Sequence, residues 1–102
     1  MDLRLDGRVA LVTGGSKGIG KAIASAMAAS GANVMITSRK EENLKPAADD
    51  IATHVGGRDG GGAIEWFAAN AGDEVGASAC IDATIERLGG LDILVNNAAT
   101  NP

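Results

Sequence analysis

The sequence predicts an α/β fold, a doubly wound parallel sheet of four strands and three helices in the order βαβαβαβ. Three observations carry it. Four short apolar segments of strand length are spread along 102 residues. Between them lie three segments whose apolar residues recur at helical spacing. Right-handed crossovers then turn that alternation into a parallel sheet with helices on both faces. No internal repeat and no domain boundary interrupts residues 1–102, which read as one unit.

Arg8-Val-Ala-Leu-Val-Thr13 is β-rich and closed by glycines, so it reads as the first, buried strand. Ile19, Ile23 and Met27 then fall at helical spacing with alanines between, and Gly31 ends the run as a helix C-cap would. The narrow alanine-rich face suits a helix lying close on a sheet. Asn33-Val-Met-Ile-Thr-Ser38 is the second strand. Leu44, Ala48, Ile51 and Val55 mark one face of the second helix. Pro46 would break its interior, a conflict removed if Asn43 caps the helix and Pro46 lies in the first turn. Residues 55–62 hold five glycines and read as a flexible surface loop, since no strand leads into them as a phosphate cradle requires. Ile64-Glu-Trp-Phe-Ala-Ala69 is the third strand. Asp73 caps a third helix whose apolar face takes in Ala77, Ile81, Ile85 and Leu88 and which Gly89-Gly90 ends. Leu91-Asp-Ile-Leu-Val-Asn96 is the fourth strand.

Composition excludes several classes of function. Nine Lys+Arg against 13 Asp+Glu, with an aromatic share of 2% carried by Trp66 and Phe67, supply neither the positive footprint nor the stacking surfaces of a nucleic-acid binder. No apolar run approaches the roughly 18 residues of a membrane span. The first six residues alternate charge with leucine, unlike a signal peptide. The one cysteine, Cys80, sits in an apolar-periodic segment and reads as a buried, inert thiol. His54 has no second histidine and reads as a solvated helix-end residue. A reducing, cytoplasmic setting is expected.

Thr13-Gly-Gly-Ser-Lys-Gly-Ile-Gly20 is the most informative segment. A strand ends, the chain turns on Gly14 and Gly15, and a helix starts near Gly18. Unpaired amides at that helix N-terminus, with the positive end of its dipole, suit a pyrophosphate. The P-loop pattern of nucleoside triphosphatases fits from Gly15 to Lys21 but fails at Ala22, which must be the hydroxyl that ligates Mg²⁺. Lys21 would also lie inside the helix rather than open it. The pattern G-x-G-x-x-G is only partly met, because Ile23 stands where the third glycine belongs.

The variant T-G-x-x-x-G-I-G is filled from Thr13 to Gly20 without exception, and in it the chain resembles the short-chain dehydrogenase/reductase family. Asn96-Asn-Ala-Ala99 resembles the family's N-N-A-G segment after the fourth strand, with Ala99 in place of the glycine. The distance between the motifs fits, so the likeness covers essentially the whole chain and implies a Rossmann-type dinucleotide fold. It further implies that Gly14, Ser16, Lys17, Gly18, Ile19 and Gly20 meet the diphosphate side of a nicotinamide dinucleotide. Asn97, Ala98 and Ala99 would lie along its nicotinamide-side ribose. Asn96 and Asn97 have an alternative reading as residues that satisfy backbone groups at a strand end.

An acidic residue closing the second strand would favour NAD. Ser38 and Arg39 stand there instead, followed by Lys40. A serine donates to a 2′-phosphate and an arginine grips it as a flat fork, so NADP is favoured over NAD. Lys17 could reach the same place, whereas Lys40 reads as solvated or paired with Glu41 or Glu42. The family usually has an aspartate at the end of the third strand, where side chain and backbone meet the adenine amino group. Asn70 stands there, followed by Ala71, and an asparagine oxygen can still accept that hydrogen bond.

The resemblance implies hydride transfer between nicotinamide and a carbonyl or alcohol carbon. A tyrosine acts as acid or base, a lysine four residues on lowers its pKa, and a serine positions the oxygen. The sequence has no tyrosine, so it has no Tyr-x-x-x-Lys. None of Ser16, Ser25, Ser30, Ser38 and Ser78 stands in the catalytic position. No catalytic residue is assigned, and these residues alone are expected not to catalyse. The favoured reading is the amino-terminal, cofactor-binding portion of a short-chain oxidoreductase, cut after the fourth strand. The family resemblance implies that a full-length form is a homo-oligomer and takes a small carbonyl or alcohol substrate. Segment 97–102 resembles that of carbonyl and ketoacyl reductases. The alternatives are a stand-alone nucleotide-binding module and, well behind, a P-loop enzyme. Ile93, Leu94 and Val95 make the fourth strand an apolar sheet edge, which predicts poor stability or self-association.

Overall fold

A computed structural model describes residues 4–55 and 61–97. The chain runs β1 (Val9–Thr13), α1 (Gly18–Ala29), β2 (Asn33–Ser38), α2 (Glu41–Val55), β3 (Ile64–Ala68), α3 (Glu74–Leu88) and β4 (Ile93–Asn96). All pairings are parallel and the strand order is β3-β2-β1-β4. The expected βαβαβαβ order, the parallel sheet and the two-sided cover by helices are therefore as the sequence predicts. Among the described residues no helix is long and apolar enough to cross a membrane.

The two central strands are buried on both faces, which is why they read as continuous apolar runs. Ala10, Val12, Val34 and Ile36 point to the side covered by α1 and α2. Leu11 and Met35 point to the other side, against Cys80 and Ala83 of α3. Each such aliphatic side chain contributes roughly 1.5–3 kcal/mol when fully buried. On β4, Ile93 and Val95 face the α1–α2 layer. Leu94 pairs in register with Leu11 and keeps 54% of its surface exposed, because α3 lies over β1, β2 and β3.

Four details of the helices differ from the sequence reading. In α1 the buried residues are Gly20, Ala24 and Ala28, while Ile19 is 73% exposed. Small residues face the sheet because the helix lies too close for isoleucine. Its C-cap is Ser30, and Gly31 follows with a positive φ. Helix α2 begins at Glu41, not beyond Asn43, so Pro46 lies past the first turn. Glu42 and Pro46 are both exposed, so the carbonyl that Pro46 cannot serve faces solvent. In α3 the buried residues are Cys80, Ala83 and Thr84, with Ile81 and Leu88 packed partly against them and Ile85 exposed. The Asp73 cap is present, its Oδ1 accepting the Gly76 N–H at 2.7 Å, and Gly89 ends the helix in a left-handed conformation. Cys80 is buried and His54 is exposed at the end of α2, as expected. Most of the glycine-rich loop, residues 56–60, lies outside the described residues.

Asp92 ties the strand starts together. Its Oδ2 accepts the Val9 N–H at 2.8 Å and its own N–H donates to the Val9 carbonyl at 2.8 Å. Asp92 is thus used as a clamp before β4 begins at Ile93, two residues later than the apolar pattern suggests.

Candidate functional site

The C-terminal ends of the four strands form one rim, the place where parallel α/β sheets bind ligands. The loop from β1 to α1 crosses its centre. Gly14 and Gly15 donate their N–H groups to the Thr37 carbonyl at 2.9 and 3.2 Å, which fastens the loop to the end of β2. Among the described residues the amides that follow find no acceptor outside the helix. Lys17 is the N-cap of α1 and provides no side-chain cap, and the first turn has no acidic residue. The amides that open α1 therefore present an uncompensated positive end, as an anion requires.

Two glycines make that approach possible. Gly18 has φ +61°, which other residues rarely adopt, and a Cβ there would stand in open space. A Cβ on Gly20 would instead overlap the Gly14 carbonyl and the Asn97 side-chain amide. The helix can rest on the loop and on the end of β4 only because Gly20 has no side chain. Ser16 is half-buried in this loop, and Lys17 and Ile19 are exposed on it. All six residues expected at the diphosphate side therefore stand together.

Thr13, at the end of β1, holds the far side of the rim. Its hydroxyl accepts the Asn97 N–H at 3.0 Å and lies 3.1 Å from Asn96 Oδ1, to which it donates. Asn97 Nδ2 in turn donates to the Gly14 carbonyl at 3.4 Å. The strand-end role for Asn96 and Asn97 is thus present, and the same bonds place Asn97 against the glycine loop. Thr13 belongs to the motif, and the motif alone assigns it no contact at the site. The signal for it is a hydroxyl at the end of an otherwise apolar strand. Ala98 and Ala99 lie outside the described residues.

Beside the loop, Ser38 Oγ accepts the Lys40 N–H at 3.3 Å, which leaves the hydroxyl proton to donate outward. Arg39 and Lys40 are exposed. The distribution of ion pairs is uneven. Arg4, Arg8, Lys21, Lys45 and Arg87 pair with Asp6, Asp92, Asp50, Asp49 and Glu65. Among the described residues the cations with no carboxylate partner are Lys17, Arg39 and Lys40, all on this rim. The pairing of Lys40 with Glu41 or Glu42 is not formed. Lys21, the lysine a P-loop would need, lies inside α1 and binds Asp50 at 2.7 Å.

Further along the rim, Ala69 donates to the Ser38 carbonyl at 2.9 Å, so Asn70 and Ala71 sit next to Ser38 and Arg39. Asn70 Oδ1 already accepts the Gly72 N–H at 2.9 Å, so any ligand shares that oxygen. Among the described residues no cluster of three or more His, Cys, Asp or Glu side chains is placed to hold a metal.

The uncapped helix end and the Gly20 cradle have room and charge for a dinucleotide diphosphate. A family model described as short chain dehydrogenase matches residues 8–102. The D-threitol dehydrogenase of Mycolicibacterium smegmatis is 43% identical over 97 residues, 95% of this chain and 35% of that protein. The 3-oxoacyl-[acyl-carrier-protein] reductase of Aquifex aeolicus is 38% identical over 98 residues, 96% of this chain and 38% of its own length. Among solved structures, the L-sorbose reductase of Gluconobacter frateurii, described as complexed with NADPH and L-sorbose, superposes with a TM-score of 0.87 at 34% identity. The match covers 100% of this chain and 37% of that one. The chain thus spans about a third of the length of the curated relatives it matches.

Proposed function

The chain belongs to the short-chain dehydrogenase/reductase family, and from that premise we propose that residues 1–102 are its dinucleotide-binding part, with NADP(H) preferred over NAD(H). The observation that carries this reading is the set of unpaired cations. In a chain of net charge −4, Lys17, Arg39 and Lys40 stand without carboxylate partners among the described residues, beside the uncapped N-terminus of α1. A dinucleotide diphosphate supplies charge for the helix end, and a 2′-phosphate on the adenosine ribose supplies it for Ser38 and Arg39. The glycine loop admits the diphosphate, Thr13 and Asn97 hold the nicotinamide side, and Asn70 and Ala71 meet the base.

The activity served is transfer of hydride between the nicotinamide, which supplies that chemistry when bound, and a carbonyl or alcohol carbon. These 102 residues contain no tyrosine to move the accompanying proton. They hold a cofactor but do not turn over a substrate. A P-loop reading is disfavoured by Ala22 and by the engagement of Lys21 with Asp50.

The test is titration of a full-length form with NADPH and with NADH. Arg39→Ala weakens NADPH binding by about 1.5–3 kcal/mol, the worth of a hydrogen bond to a charged group. NADH affinity barely changes. An equal loss for both cofactors would remove the 2′-phosphate assignment.

A further inference from the structure

Strand β3 is one edge of the sheet, and among the described residues it pairs with β2 alone. Its backbone bonds show which groups look outward. The Ala63 carbonyl accepts the Val34 N–H, and Ala69 donates its N–H to the Ser38 carbonyl, so the odd-numbered residues of this stretch face β2. Backbone groups alternate sides along a parallel strand, which turns those of Ile64, Trp66 and Ala68 to the outer edge. One side chain occupies the middle of that edge. Arg87, in the last turn of α3, donates from Nη1 to the Trp66 carbonyl at 3.0 Å. Its guanidinium carbon lies 5.5 Å from the centre of the Phe67 ring, and Nη1 is 3.9 Å from Glu65 Oε1. Among the described residues no other group bonds the outward N–H and carbonyl groups of Ile64, Trp66 and Ala68.

We propose that the outer edge of β3 is a docking surface for β3 of a second copy, and that Arg87 keeps it closed. The edge is self-complementary. Set antiparallel and centred on Trp66, two copies place Trp66 opposite Trp66 and Ile64 opposite Ala68. Each of these is a pair that exchanges both of its N–H···O bonds, because all three residues turn their backbone groups outward. Glu65 then faces Phe67 of the other copy, so no like charges are opposed. Ile64, Trp66 and Phe67 are strand-favouring residues, and every side chain of β3 is only half-buried. An edge of this kind recruits strands unless something blunts it. Arg87 does so at the one position that pairs with itself. With the Trp66 carbonyl already bonded, the central pair cannot exchange its two bonds. The long contact with Glu65 adds little, since both side chains are well exposed. The carbonyl bond and the ring contact hold the guard in place.

The experiment is size exclusion with light scattering on a full-length form across a wide range of concentration. The parent is expected to keep one mass throughout, and Arg87→Ala to reach at least about twice that mass as concentration rises. Ala68→Pro removes one outward N–H without touching the bonds to β2, so the double variant Arg87→Ala/Ala68→Pro returns to the parental mass. Arg87→Met keeps a helix-favouring apolar chain over Phe67 while losing the donor and the charge. It carries the same test if circular dichroism shows that Arg87→Ala has lost its fold. A parental mass for the folded Arg87 variant at every concentration overturns the proposal. So does association that Ala68→Pro leaves in place, which would put the contact on another surface, such as the apolar edge of β4. A parent that already has the larger mass and loses it in Ala68→Pro overturns the role of Arg87.

Discussion

Replacing Thr13 by valine tests how the rim is held together. The two side chains have nearly the same shape, so the change removes a hydroxyl and leaves the packing in place. Thr13 is 5% exposed, and the hydroxyl bonds the Asn97 N–H at 3.0 Å and Asn96 Oδ1 at 3.1 Å. Each bond contributes about 1 kcal/mol net, and the half-buried Asn97 amide loses its acceptor. The new methyl group returns part of this, about 0.8 kcal/mol at most. The net loss is about 1–2 kcal/mol, or a fall of roughly 5–15 °C in Tm for a domain of this size. Urea denaturation followed by emission of the single tryptophan, Trp66, measures it. Dinucleotide affinity falls as well, by up to about tenfold, because Asn97 loses an anchor. Thr13→Ser is the control. It loses a methyl group, costing about 0.8 kcal/mol, and keeps the affinity. A valine variant as stable as the parent within about 0.5 kcal/mol, with unchanged binding, would refute the reasoning.

Gly20→Ala has a sign that the structure decides. An exposed helix position would gain about 1 kcal/mol from alanine. Here the added Cβ meets the Gly14 carbonyl and the Asn97 amide, so the variant is less stable by about 1–3 kcal/mol and binds dinucleotide more weakly. A stabilised variant in the same urea assay would show that α1 does not rest on the loop. Cys80 is 1% exposed, and burial pushes its thiol above the ordinary value of 9.0, with the Thr37 hydroxyl offsetting this only in part. The fold favours the neutral thiol, so this stabilisation is complete below the unfolded-state pKa and is lost as pH rises through the folded one. Urea midpoints should fall more steeply above about pH 9 for the parent than for Cys80→Ala. A disulfide reagent should label Cys80 only as fast as the chain opens.

Much of the architecture is legible in the sequence because parallel strands buried on both faces are short apolar runs, and glycines punctuate them. The places that are less legible share a cause. Helix α1 is read by the size of Ile19, Ile23 and Met27, yet its buried face is Gly20, Ala24 and Ala28. Size predicts burial only when there is room, and contact between α1 and the Gly14 carbonyl leaves none. Helix α2 starts before Asn43 because an exposed proline loses its bond to solvent rather than to the core. The glycine motif names the diphosphate side by itself. The two ends of the site depend on which atom of Thr13 or Asn70 is already engaged, and residue type alone does not carry that information.

The strand order also sets when the site comes into being. Strand β1 meets β2 across a short stretch, Val9 with Asn33. It meets β4 across a far longer one, and the Thr13–Asn97 bond joins residues 84 apart. Closing the longer loop costs about 1 kcal/mol more in chain entropy. The β1–α1–β2 unit, with its fastened glycine loop, can therefore organise early during synthesis, and β4 docks late. A half-made molecule would hold the diphosphate cradle without Asn97 beside it. Ligand capture by the complete rim would then act as a latch on β4.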